Sequence, residues 1–207
     1  LRDDVLLLEF VDGRPMLGVL AEGRLSRSER DDLLRRFAAA WSRRHRIALE
    51  TGEPGFVQEH GTFQHVLVAG ERLVTIDLEQ LFRRAGNSLP LVSKEIAAYL
   101  RSLWKGVDAE TYRRDLEALV DGYDTREILA AAVNEYHYNR GRLRRWMWAL
   151  DRMRNARRGR GKYVALQRLE ELLRERHPEA FSTARVRSRT SVDAASTRSR
   201  RAPASSG

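Results

Sequence analysis

Residues 59–68 are Glu59-His60-Gly61-Thr62-Phe63-Gln64-His65-Val66-Leu67-Val68, and Asp77, within Ile76-Asp77-Leu78-Glu79, follows nine residues after Val68. Between them lie two short β-like runs, Val66 to Val68 and Leu73 to Ile76, joined by Ala69-Gly70-Glu71-Arg72. Apolar runs of this length around a glycine-containing turn predict a small hairpin. Asp77 then stands just beyond its second strand, and the His60 to His65 loop just before its first.

Working outward, Gly52, Pro54 and Gly55 break the chain before this loop. Ahead of them Leu33, Leu34, Phe37, Ala38 and Trp41 recur at helical spacing behind Ser26 or Ser28 as a cap, with Glu29 and Asp31 in the first turn. This predicts a helix of roughly five turns. Further upstream, Val5 to Val11 is a short apolar run bounded by Asp12-Gly13, the pattern of a buried strand ending in a turn. From Ser93 onward the spacing is helical. Ile96, Tyr99, Leu100 and Leu103 line one face, Tyr112, Leu116, Leu119 and Val120 a second, and Ile128, Leu129, Ala132 and Val133 a third. Gly106, Gly122 and Gly141 punctuate these segments, and a final helix runs from Tyr163 to Arg176, stopping at His177-Pro178. The expected fold class is α+β, mostly α, with a small β-hairpin and a helical bundle.

Composition limits the function classes. No apolar run reaches the ~20 residues that span a bilayer. No basic leader with an apolar core opens the chain. With no cysteine, disulfides and thiolate chemistry are excluded, and zinc could be held only by the five scattered histidines and carboxylates. The net charge of +9 is unevenly placed: residues 1–138 carry 19 basic and 23 acidic groups, residues 139–162 carry ten and one. That layout implies an anionic partner for the rear segment. In it, Arg140, Arg142, Arg144, Arg145, Arg152, Arg154, Arg157, Arg158, Arg160 and Lys162 interleave with Trp146, Leu150 and Met153, which share one helical face. A basic amphipathic helix of this kind fits an anionic membrane or glycolipid surface, nucleic-acid phosphates, or a Trp face packed on the domain with solvated arginines. Gly159-Arg160-Gly161-Lys162 is not a phosphate loop, because Ala156 and Tyr163 stand where that motif needs glycine and Ser/Thr. After Phe181, ten Ser/Thr and six Arg leave too little apolar surface for a core, so 182–207 reads as a disordered Arg/Ser-rich tail.

In order, these segments resemble the C-terminal, helical lobe of a protein-kinase-like fold. More narrowly, they resemble the bacterial lipopolysaccharide core kinases that phosphorylate heptose or Kdo sugars. Ile76-Asp77-Leu78, Arg83-Arg84 and Lys94-Glu95-Ile96 match that family's motifs in order, and His65 fits the histidine its heptose kinases carry in the catalytic loop. The resemblance covers about residues 5 to 105 and implies ATP and Mg2+ as cofactors, with Asp77 and His65 on the metal and Glu9 and Phe10 in the hinge against the nucleotide. It implies a cytoplasmic protein, peripheral on the inner face of the cytoplasmic membrane, with an anionic glycolipid as partner; nucleic acid is the alternative partner. Domains are then 1–138 as the kinase-like lobe, 139–181 as a basic helical extension and 182–207 as the tail.

Two departures follow. Thr62 occupies the position of the catalytic aspartate, and the loop from His60 to His65 is two residues shorter than usual in kinases. His60 then braces the loop and Glu59 is a substitute base. No glycine-rich loop and no strand lysine precede the hinge-like segment, so the nucleotide-clamping lobe is expected to be missing, and ATP and Mg2+ are expected only with it. The sequence thus supports an ATP-dependent sugar kinase in part or impaired form, a non-catalytic pseudokinase or interaction module, and an Arg-rich nucleic-acid-binding protein.

Overall fold

The computed structural model describes residues 10–76, 88–138, 153 and 161–182. The fold is α+β and mostly helical, with one three-stranded antiparallel sheet in the order β1-β2-β3, where β1 is Arg14–Pro15, β2 is Val66–Ala69 and β3 is Arg72–Thr75. The expected hairpin is present, Val66 facing Thr75 and Ala69 facing Arg72. Gly70 takes φ 57° in its turn, a left-handed conformation that favours glycine. Ile76 lies one residue past the strand. Of the predicted strand at 5–11, only Phe10 and Val11 are described; they form no strand and Phe10 is 88% exposed. The chain joins the sheet later, where Arg14 pairs with Val68.

A short helix, α1 (Met16–Ala21), follows directly and buries Met16 and Leu20, one turn apart. Helix α2 (Arg27–Thr51) is capped by Ser26: its hydroxyl accepts the Glu29 N–H, and the Glu29 carboxylate accepts the Ser26 N–H at 2.8 Å. At 25 residues it runs about seven turns rather than five. The Arg43, Arg44 and Arg46 cluster conceals the last two turns in the sequence, but His45 and Ala48 continue the buried stripe. Gly52 ends it at φ 72°, its N–H returning to the Ala48 carbonyl.

Helix α3 (Leu89–Gly106) begins four residues before Ser93, since Pro90 is tolerated in a first turn. It is followed by α4 (Ala109–Gly122), capped by the Asp108 carboxylate, and α5 (Arg126–His137). The final helix, α6 (Lys162–Arg176), matches the expected span to within one residue. Ala165, Leu166, Leu169 and Leu173 of α6 join the same buried cluster as Trp41, Tyr99, Leu103 and Val133. At the crossing of α4 on α2, a Cβ on Gly122 would lie 2.5 Å from the Arg35 Cα, so the helices meet backbone to backbone there.

The end of α1, the first turn of α2 and the middle of α4 are joined by one buried ion pair. Arg30 donates through Nε and Nη2 to the two oxygens of Asp115, each at 2.6 Å, and through Nη1 to the Leu20 carbonyl. Burial raises the Asp115 carboxyl even with the guanidinium beside it, so desolvation outweighs the pairing. Asp115→Ala should therefore destabilise by about 3 kcal/mol in urea unfolding, because it strands the Arg30 charge. The low end of the usual range applies because Arg30 borders an open cleft and can take up water. The double change Arg30→Met with Asp115→Leu should recover most of the loss; if it does not, the pair is a net stabiliser.

Candidate functional site

The segment from Gly52 to His65 contains two 3-10 turns, Pro54–Phe56 and Phe63–His65. Its shape comes from contacts with α2 and α3. At their centre is Glu95 of α3, whose side chain is fully buried. One carboxylate oxygen accepts from Arg44 Nη2 at 2.7 Å and Trp41 Nε1 at 3.2 Å, both on α2. The other accepts from the Gln58 backbone N–H at 2.9 Å and from His45 Nε2 at 3.3 Å. Four donors on one carboxylate leave no lone pair wanting.

The network extends from there. Tyr99, one turn along α3, donates its hydroxyl to Gln58 Oε1, and Gln58 Nε2 donates to the Ile76 carbonyl at 3.3 Å. Ser102, another turn on, accepts the Phe63 N–H at 3.1 Å. The spacing 95, 99, 102 puts all three groups on the face of α3 that meets the loop. Gly61 lies against this face so closely that a Cβ would fall 2.5 Å from the Tyr99 ring. Glycine is needed for that approach.

His45 is buried beneath the network. A carboxylate can only accept, so Nε2 must carry the proton and Nδ1 must accept from the Tyr123 hydroxyl at 2.7 Å. Burial holds the His45 imidazole below its ordinary pKa, with Glu95 opposing the shift. The folded chain thus keeps His45 neutral where the unfolded chain binds a proton, so stability present above about pH 6.5 is lost as pH falls. Urea midpoints measured downward from pH 7 should decline, with this group contributing up to about 1.4 kcal/mol per pH unit. In His45→Gln that contribution should vanish.

The structure brings together some of the sequence-predicted site residues. Thr62 is half-buried; its hydroxyl accepts the Gln64 N–H at 3.3 Å and its carbonyl accepts the His65 N–H at 3.0 Å. The half-buried His65 returns its own carbonyl to the Ile76 N–H at 2.8 Å. Ile76 is thereby held on both sides, at its N–H by His65 and at its carbonyl by Gln58. His60 and Glu59 are exposed on the same loop. Phe10 is exposed at the start of the described chain, while Glu9, Asp77 and Arg83-Arg84 lie outside the described residues. So does the basic segment, apart from Met153, which is 74% exposed, and Gly161 and Lys162. Residues 183–207 are also outside it.

Of the metal-ligand pair, Asp77 offers the hard oxygen that Mg2+ prefers, whereas the His65 imidazole does not. Among the described residues no group of three His, Asp or Glu side chains is placed to hold a metal. Two clefts, of about 580 and 470 Å³, lie at the ends of α3 and α4 and along α6, and no residue of the 57–65 loop lines either. Among the described residues no helix is long and apolar enough to cross a membrane.

Sequence reasoning did not find Glu95, Gln58, Arg44 or His45. The available signal was Glu95 itself, a carboxylate set among Val92, Ile96 and Tyr99 on an apolar helical face, where an unpaired charge could not stay. No family model, curated protein or solved structure matches this chain.

Proposed function

We propose that this chain is the helical lobe of a phosphotransferase of the lipopolysaccharide sugar-kinase kind, moving the terminal phosphate of ATP to a hydroxyl of a lipid-linked glycan. The observation that supports it is the double clamp on Ile76. His65 and Gln58, from the loop that carries Thr62, fix the backbone from which Asp77 departs. Phosphoryl transfer needs a metal-binding carboxylate held rigidly beside the loop that orients the acceptor hydroxyl, and most of its catalysis is positioning and charge stabilisation. In that role Asp77 would hold Mg2+, which neutralises charge on the phosphate oxygens. The loop around Thr62 would orient the acceptor, whose proton passes to solvent or to Glu59 as the new P–O bond forms and ADP leaves.

A second reading, a non-catalytic kinase-like module, is favoured by one contact. The Thr62 hydroxyl is engaged with the Gln64 N–H and is no general base near neutral pH. The full-length protein, assayed with Mg2+ and γ-labelled ATP on lipopolysaccharide core glycan, separates the two. Label transfer that falls to background in Asp77→Ala supports the enzyme. Mg2+-dependent nucleotide binding without transfer supports the module. Transfer that survives Asp77→Ala removes the site assignment altogether.

A further inference from the structure

Three tyrosines, Tyr99, Tyr112 and Tyr123, are almost wholly buried. Tyr99 donates its hydroxyl to Gln58 and Tyr123 donates to His45. The Tyr112 hydroxyl is buried as well, but among the described residues it meets no hydrogen-bond partner. Tyr112 of α4 packs its ring against Trp104 of α3, centroids 4.2 Å apart, and both residues line the cleft of about 470 Å³ that α6 completes. Leu116 and Leu172 supply more of its apolar wall, and both are buried. Trp104 is half-buried, so part of its surface is open to the cleft. At the rim stand Arg113, Arg168, Glu171 and Glu175, two cations and two carboxylates, so the rim carries no net charge. Burial pushes the Tyr112 phenol above its ordinary pKa; the Arg168 charge opposes that shift and Asp115 reinforces it. The group is therefore un-ionised, and its proton is satisfied only by an acceptor.

A buried donor without an acceptor is destabilising, and a ligand oxygen that reaches it removes that penalty. A cleft of this volume is large enough to enclose a small molecule, and an apolar wall with one convergent polar group is the usual make-up of such a site. Aromatic walls favour flat rings, packed offset or edge to face. A rim without net charge offers no counter-charge to an ion that would lose its hydration inside. We infer that the cleft between Trp104, Tyr112 and Leu172 binds a neutral aromatic small molecule carrying a hydrogen-bond-accepting oxygen, to which the Tyr112 hydroxyl donates. No residue of the 57–65 loop lines this cleft, so the inference does not depend on phosphotransfer.

The test uses the full chain and two probes of nearly equal shape, acetophenone and ethylbenzene, of which only the first carries an acceptor oxygen. Titrations followed by methyl NMR should move the Leu116 and Leu172 resonances, and acetophenone should bind about tenfold more tightly than ethylbenzene, the difference expected of one hydrogen bond to a buried donor. Tyr112→Phe removes only the hydroxyl and should abolish that preference while leaving ethylbenzene binding within about twofold. Without a probe this variant should unfold no earlier than the parent, because it deletes an unpartnered buried group; this separates a lost contact from a damaged fold. Ala109→Trp, which enlarges an exposed residue at the edge of the cleft, should block both probes. Ala40→Trp, the same enlargement on an exposed position of α2 outside the cleft, should block neither. Benzoate and benzylamine should each bind more weakly than acetophenone. The inference is overturned if acetophenone does not bind, if it binds no better than ethylbenzene, if Tyr112→Phe keeps the preference, if Ala109→Trp leaves binding unchanged, or if either ion binds more tightly than the neutral ketone.

Discussion

Glu95→Ala is expected to lower the unfolding free energy by about 5 kcal/mol, the upper end of the range for breaking a buried charged pair. Alanine removes the acceptor of four donors at once: the Arg44 guanidinium, the Trp41 indole N–H, the His45 Nε2–H and the Gln58 backbone N–H. Three of the four belong to buried residues, so water cannot readily replace the carboxylate, and each orphaned donor carries its own desolvation penalty. The contributions do not add, because the groups share one centre. Glu95→Gln keeps the volume but turns an amide N–H2 toward existing donors, and should recover only part of the loss. Urea unfolding with an unchanged m-value measures the effect. Amide exchange across residues 57–65 should accelerate together with it. A loss below about 1 kcal/mol would mean the carboxylate is no anchor.

On the phosphotransferase reading proposed above, Thr62→Asp is expected to raise phosphate transfer by the full-length protein by about 10²- to 10⁴-fold, the usual worth of a positioned general base. The loop can accept this change. Thr62 has extended backbone angles and its hydroxyl closes a two-residue turn onto the Gln64 N–H; an aspartate oxygen makes the same turn, leaving the second oxygen free to take a proton. Thermal unfolding should therefore be nearly unchanged while initial transfer rates rise. If Mg2+-ATP binding persists and the rate does not rise, residues 60–65 are not the loop that faces the acceptor. The same variant separates a weakened enzyme from a module with no acceptor site, since only the former gains.

Local signals in the chain sufficed for some elements and were overridden for others. The hairpin was legible because Val66 to Val68 and Leu73 to Ile76 flank a turn whose glycine is stereochemically required. The start of α2 was legible to within the choice of Ser26 or Ser28, and the structure chooses Ser26 because Glu29 reaches back from three residues on. Helix α1 was not legible: six residues with a glycine inside, following Pro15, have little helical preference of their own and are held by burial of Met16 and Leu20. The end of α2 was missed because Arg43, Arg44 and Arg46 interrupt the apolar spacing there, although Ala48 is buried and Arg44 is partly so. At the candidate site, His60, Thr62 and His65 could be named from residue type and order. Their anchoring could not, because the Glu95 partners come from four separate positions that only the tertiary fold unites.

Those partners also set an order of events during synthesis. The Glu95 carboxylate lies 37 residues beyond the Gln58 amide it holds and 50 to 54 residues beyond His45, Arg44 and Trp41. The loop therefore leaves the ribosome well ahead of the side chain that shapes it, and α2 emerges first with an indole, a guanidinium and an imidazole awaiting their acceptor. Translation must deliver α3 before residues 57–65 can hold their final form, so a nascent chain paused before Glu95 has the loop's sequence without its geometry.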